Sequence, residues 1–200
     1  MKSMAIVELN RIKTIQTDCV NHWHHLTPEV KQIGFSGLIE KQHLQNYLLW
    51  HEEDKARDPE ADDQKIAEVK RNIDQLNQKR NDLIEAIDSR ISELLMEKGI
   101  TMNQSAPLNS ETPGNMIDRC SIMSLKIYHM AEQTKRKDVT PQHVQEAKQK
   151  VVRLTEQRND LFDCLFDLFV DIEKGNRQFK VYHQFKMYND PTLNPQIYKK

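Results

Sequence analysis

Apolar residues return every three or four positions over most of the chain, and the stretches that keep this period predict helices over about 4–20, 37–57, 63–97, 113–136 and 141–174. The helix starts carry their own signals. Thr112-Pro113 and Thr140-Pro141 each pair a threonine that can cap free amide groups with a proline that loses no helical hydrogen bond, and Thr27-Pro28 has the same form. Asp58-Pro59 followed by Asp62-Asp63 marks a further start, with acids where the helix dipole favours them. The stretch from Gly99 through TMNQSAPLNSETPG is the one long internal loop that the pattern predicts. Short links near residues 60 and 138 turn the four later helices into two antiparallel hairpins.

The phrase RNDL stands at 80–83 and again at 158–161, an offset of 78 residues. The same offset lays KIAEVKRNIDQLNQKRNDLIEAI on HVQEAKQKVVRLTEQRNDLFDCL, and YLLWHEED on LKIYHMAE. Trp50 then meets Tyr128, His51 meets His129, and Asp54 meets Glu132. The expected fold is therefore all-α: duplicated helical hairpins related by a pseudo-two-fold, forming an antiparallel four-helix bundle. An extra N-terminal helix and an irregular aromatic C-terminal tail complete it. One domain over 1–200 is expected, with an N-terminal helix and linker (1–36), hairpins at 37–97 and 113–174, and a tail at 175–200.

Heptad counting from Ile66 puts Ile66, Val69, Ile73, Leu76, Arg80, Leu83 and Ile87 on one inward seam. The matching seam of the last long helix is Val144, Ala147, Val151, Leu154, Arg158, Leu161 and Leu165. Their partner helices present Glu40, Leu44, Tyr47, His51 and Asp54, and Asp118, Ile122, Leu125, His129 and Glu132. Equal heights within each hairpin set Arg80 beside Glu40 and Arg158 beside Asp118. A buried guanidinium requires a carboxylate, so these four residues are expected to form a charged layer. At the other end His51, Asp54, His129 and Glu132 are expected to share one level. Two imidazoles and two carboxylates there suit a divalent metal or, in a plainer reading, a hydrogen-bonded polar plug. The cluster NHWHH adds His22 or His24 as secondary candidates, beside Trp50 and Glu53.

Composition narrows the function classes. Against 30 acidic residues stand 29 basic ones, a net charge of −1, which supplies no general field for nucleic acid or an anionic membrane. Hydrophobic residues make up only 38% of the chain, so the core must lie in narrow helical seams. Cys19, Cys120 and Cys164 have neither zinc-site nor redox-pair spacing and read as reduced, mostly buried thiols of a cytoplasmic protein. The most apolar run, LFDCLFDLFV, is broken by Asp163 and Asp167, so no membrane span is expected. Asp160, Asp163, Asp167 and Asp171 map to outer positions and read as a solvated row. Phe162, Phe166 and Phe169 widen the apolar arc and need a cover, whether the N-terminal helix, the tail or a second copy of the chain. Five aromatics and several lysines in the tail suit packing back over the bundle more than stacking on nucleic acid.

The blocks NYLLWHEEDKARDP, KRNIDQLNQKRNDLIEAID, LNSETPGNMIDRCSIMSLKIYHM and QFKMYNDPTLNPQIY resemble those of a bacterial family of uncharacterised proteins, catalogued as a domain of unknown function. Asn46-x-x-Leu49-Trp50-x-x-Glu53-Asp54 is similar to its most recognisable motif. The resemblance implies a single domain and transfers no catalytic residue. Members often stand near glycosyltransferase genes, which implies a setting in surface-polysaccharide or envelope-glycan synthesis. Glu52 and Glu53 resemble the acidic helical pairs of nucleotide pyrophosphatases, but the second acidic motif is lacking. Two functions follow as expectations. The first is a non-catalytic accessory protein that binds a protein partner or small ligand. The second is a metal-dependent hydrolase using His51, His129, Asp54 and Glu132.

Overall fold

The computed structural model describes residues 4–183 and 190–199, and the side chains from Leu9 onward. They form six helices: α1 Met4–Trp23, α2 Gly34–Lys55, α3 Asp63–Glu97, α4 Pro113–Gln133, α5 Pro141–Glu173 and the short α6 Pro195–Tyr198. No strand forms among the described residues. A lone bridge joins Leu108 to Gln178.

The caps act as the sequence suggests at three starts. The Asp62 carboxylate accepts from the Lys65 amide at 2.7 Å, Thr112 from Asn115 at 3.3 Å and Thr140 from His143 at 3.2 Å. Thr27-Pro28 starts no helix. Residues 27–33 run without regular structure, and α2 begins only at Gly34, whose φ of +59° turns the chain into the helix. The linker is held by Glu40, whose Oε2 accepts the amides of Lys31 at 2.9 Å and Gln32 at 2.7 Å.

The two most extensive helix pairings are α2 with α3 and α4 with α5. Asn72 of α3 donates to Glu52 of α2, which sets these two antiparallel. Asp88 beside Gly114 and Arg80 beside Asp118 set α3 antiparallel to α4. A symmetric bundle of two hairpins would bring α5 against α2 as it brings α3 against α4. Instead α1 packs on α2, α4 and α5, and among the described residues α2 and α5 do not touch. Burial of Leu9, Ile12, Ile15, Val20 and Trp23 accounts for this. Side chains of this size stabilise by about 1.5–3 kcal/mol each when fully buried, so α1 is an integral part of the core.

The main core joins α1 to Ile39 of α2, Ile87, Ile91 and Leu95 of α3, Ile117 and Cys120 of α4, and Phe162, Leu165, Leu168 and Ile172 of α5. The buried stripe departs from the strict heptad seam in both long helices. Ile84 and Phe162 are buried while Leu83 and Leu161 are only half-buried, because a straight helix drifts about 20° per heptad from a 3.5-residue period. Phe162 lies in this core, with Phe166 and Phe169 packed against it. Of the covers the sequence left open, the N-terminal helix contributes: α1 packs along α5 and supplies Leu9, Ile12 and Ile15 to the same cluster. Cys164, expected among the buried thiols, is exposed, while Cys120 is buried and Cys19 half-buried.

The start of the tail packs back as well. Phe179 is buried in the main core, and the Gln178 amide group donates to the carbonyls of Gln104 and Ala106 at 2.8 and 2.7 Å, pinning the α3–α4 loop. Residues 184–189 of the aromatic tail lie outside the described residues.

At Gly114 the backbones of α3 and α4 come close together. A Cβ there would stand 2.6 Å from the Ile84 carbonyl oxygen and 2.9 Å from the Asp88 carboxylate, which accepts the Gly114 amide at 2.6 Å. Gly114→Ala is therefore expected to lower stability by about 1–3 kcal/mol, because one partner is main chain and cannot swing away. Urea melts check this, and a midpoint equal to that of the wild type would refute it.

Candidate functional site

Three helices run parallel and end together. Gln16 of α1 donates to the Ile117 carbonyl of α4, while Asn46 of α2 donates to Asp118 and Ser121 of α4, so lower numbers on each helix meet lower numbers on the next. Their C-terminal ends converge on His24, one residue past α1, on His51 in the penultimate turn of α2, and on His129 at the same place in α4. Helix C-termini carry about half a negative charge each, so this end of the molecule favours a cation.

The imidazole ring centres lie 5.3 Å apart for His24 and His51, 4.9 Å for His24 and His129, and 5.8 Å for His51 and His129. One nitrogen from each falls within 4.8 Å of those of the other two. Aromatic rings wall the cluster. Tyr128 stacks on His24 at 4.0 Å, Trp50 stacks on His129 at 4.7 Å, and Tyr47 lies edge-on to His51 at 4.6 Å. The Tyr47 hydroxyl donates to the Trp23 carbonyl at 2.9 Å and so ties the end of α1 to α2.

The outward nitrogens define the inward ones. Nδ1 of His24 lies 2.7 Å from the Val20 carbonyl oxygen, an acceptor, so this nitrogen carries the hydrogen and Nε2 keeps its lone pair. Nδ1 of His129 lies 2.8 Å from Glu132 Oε2, with the same consequence. The Nε2 atoms of His24, His51 and His129 are all buried and without a hydrogen-bond partner. Leaving one such atom unsatisfied costs about 1–3 kcal/mol, and three together call for a common partner. Burial first of all, and then the neighbouring imidazoles, hold His24 and His51 below the usual histidine range. Both stay neutral, and able to bind a metal, at pH values where an ordinary histidine gains a proton.

Of the expected layer, the structure brings His51 and His129 together and adds the secondary candidate His24. Glu132 accepts from Nδ1 of His129, and its charge also acts on His24. Asp54 is exposed and lines a cavity of about 340 Å³ with Trp50, Glu53, Arg57 and Arg80. Glu53 pairs with Arg57 at 3.1 Å, and His22 is exposed. His51 and His129 stand 78 residues apart, at matching positions of the sequence, whereas α1 lies outside that correspondence, so only the fold places His24.

The charged layer takes another form than expected. Arg80 grips Asp118 side-on, with Nε to Oδ1 at 2.8 Å and Nη2 to Oδ2, and does not reach Glu40. Asp118 is nearly fully buried and also accepts from Gln42 at 2.5 Å and Asn46 at 2.9 Å. Glu40 is taken by the linker amides and by the Cys19 thiol at 3.5 Å. Burial, and next the Glu40 charge, push that thiol up to about 12. Among the described residues Arg158 has hydroxyl partners only, Thr17 at 3.1 Å and Ser124 at 3.2 Å. Equal height was a sound rule along each axis, but α3 faces α4 as well as α2, and the buried acid it meets lies across the hairpins.

A helical protein with a cluster of three histidines at one end of its core is the class these features define. Residues 36–181 match the family described as "Protein of unknown function (DUF4254)", and the chain belongs to that family. His51 and His129 lie inside the matched stretch, and His24 lies before it. No curated protein and no solved structure matches the chain. Among the described residues no helix is long and apolar enough to cross a membrane.

Proposed function

We propose that the protein binds one divalent transition-metal ion through Nε2 of His24, His51 and His129. The observation that carries the reading is the convergence of the three histidines, one ring nitrogen of each within 4.8 Å of the others, together with three buried, unpartnered Nε2 atoms, two on rings whose Nδ1 hydrogens are committed elsewhere. A tetrahedral ion with bonds of about 2.0–2.1 Å needs nitrogens roughly 3.3 Å apart, so the cluster contracts on the ion. All-nitrogen donors select zinc, copper or nickel over magnesium and calcium, which prefer oxygen. Because the nitrogens are buried, the site suits holding an ion more than turning over a substrate, and we read the protein as a metal-binding protein and not as a hydrolase. Unbridged thiols suit a reducing compartment, and we place the protein in the cytoplasm.

Protein purified without chelators is expected to hold about one metal ion per chain, and its melting temperature to rise with added zinc. His24→Ala, His51→Ala and His129→Ala should each lose both properties, while His143→Ala, on α5, should keep them. Retention of zinc by all three cluster variants at the wild-type level would overturn the reading.

We infer further that α2–α3 and α4–α5 are copies of one ancestral hairpin. The 78-residue offset supports this, since it relates His51 to His129, Arg80 to Arg158, Asp54 to Glu132 and Glu40 to Asp118. The pseudo-two-fold is broken by α1, which takes the place where α5 would meet α2.

A further inference from the structure

Asn46, Leu49, Trp50, Glu53 and Asp54 follow one another at the spacing that puts them on one face of α2. All five line a single cavity of about 340 Å³, whose other walls are Asn77 and Arg80 of α3 and Ile122 and Leu125 of α4. Metal binding leaves this face unexplained. The cavity has the space of about ten water molecules, enough for a small metabolite.

Its two ends differ in charge. At the inner end Arg80 lines the cavity with a side chain 25% exposed. A guanidinium carries five N–H donors, and Asp118 takes only one from Nε and one from Nη2, so Nη1 and the second Nη2 hydrogen remain for a ligand. At the mouth stands the exposed Asp54 carboxylate, whose cationic neighbours Lys55 and Arg57 pair with Glu52 and Glu53 instead. Between the ends the wall is apolar: Leu49 and Leu125 are buried, and Trp50 and Ile122 stand half-buried beside them. The Arg57–Glu53 and Arg80–Asp118 pairs cancel, which leaves Asp54 as the uncompensated charge of the lining. That balance weighs against a polyanion.

The fold also sets a length. Asn46 and Arg80 both donate to Asp118 Oδ1, at 2.9 and 2.8 Å, so the Arg80 guanidinium lies at the level of Asn46. Asp54 stands just over two turns further along α2, about 12 Å at roughly 1.5 Å per residue. A hydrogen bond of about 2.8 Å at each end leaves roughly 6 Å, the reach of about five single bonds.

We propose that this cavity binds a short, linear ω-amino acid, with its carboxylate on the Nη1–Nη2 end of Arg80, its ammonium on Asp54 and its methylenes over Leu49, Trp50 and Leu125. An α-amino acid has both charges but lacks the reach. A fatty acid or a simple amine satisfies one end only.

The probe is δ-aminovalerate, with valerate, pentylamine and glycine as its truncations, each titrated into the full chain in chelator while melting temperature and tryptophan fluorescence are followed. δ-Aminovalerate is expected to raise the melting temperature saturably by about 2–4 °C. Each truncation should bind at least about tenfold more weakly, because it loses a charge-assisted contact or the span between the two ends. Asp54→Asn should weaken δ-aminovalerate by about tenfold and leave valerate as it was. Arg80→Lys keeps the charge without the fork and should weaken both; where it does not fold, pentylamine against δ-aminovalerate reads the same end without a variant. No saturable response to δ-aminovalerate, equal affinity for any truncation, or an unchanged constant in Asp54→Asn overturns the proposal. The chelator removes metal throughout, so neither result bears on the histidine cluster.

Discussion

Arg80→Met is expected to cost about 3–5 kcal/mol of folding stability, because it strands the Asp118 carboxylate at 3% exposure with only amide donors, Gln42 and Asn46, and the Ser121 side of the network around it. The repeat-related Arg158→Met should cost far less. Arg158 contacts two hydroxyls and no carboxylate, so its removal leaves no buried charge behind, and burial already holds this guanidinium below its usual range. Two positions with the same phrase around them thus predict opposite sensitivity. Urea melts of the two variants read the difference directly, and equal losses would show that the Arg80–Asp118 pair is not the structural element described here. The double replacement Arg80→Met/Asp118→Leu should recover much of the loss, since an apolar pair of similar volume avoids desolvating two charges.

Glu132→Gln is expected to weaken metal binding by about 10–100-fold while leaving all three histidines in place. The carboxylate accepts the Nδ1 hydrogen of His129, which sets the tautomer and leaves the lone pair on Nε2. An amide can present its NH2 group instead and allow the other tautomer. Asp54→Asn should have a smaller effect, because Asp54 is exposed and acts on His51 only through its charge. Competition of zinc against a chromophoric chelator measures both affinities, and an unchanged constant for Glu132→Gln would remove Glu132 from the site. The same assay run downward in pH should show binding failing as His24 and His51, both held below the ordinary histidine range, take up protons. Depressed values at His24 and His51 fix the direction: the neutral, metal-competent form is present above them and lost as the pH falls through them.

Much of the architecture is local and therefore written along the chain. The threonine-proline starts of α4 and α5, the aspartate cap of α3 and the period of the apolar positions act within a few residues, and they set helix type and extent wherever the chain goes. Thr27-Pro28 shows the limit. Its local signal matches the other two, yet the segment stays irregular because Glu40, a turn inside α2, binds the linker amides. The repeat carried further, since a fixed offset and a hairpin turn determine height along an axis, and height sufficed to set His51 level with His129.

Direction around the axis and choice of neighbour are different quantities. Three helices compete for each face of α4, and small shifts in packing decide whether Arg80 meets Glu40 or Asp118. The helix with no counterpart in the repeat, α1, decides most of this. Packed on α2, α4 and α5, it gives the Cys19 thiol to Glu40, supplies Thr17 to Arg158 and delivers His24 to the other two histidines. Sequence alone determined the helices and the caps of α3, α4 and α5, because these depend on spacing within one helix or one turn. Only the tertiary structure decided which polar residues share a site, because that depends on where a separate helix buries its apolar face.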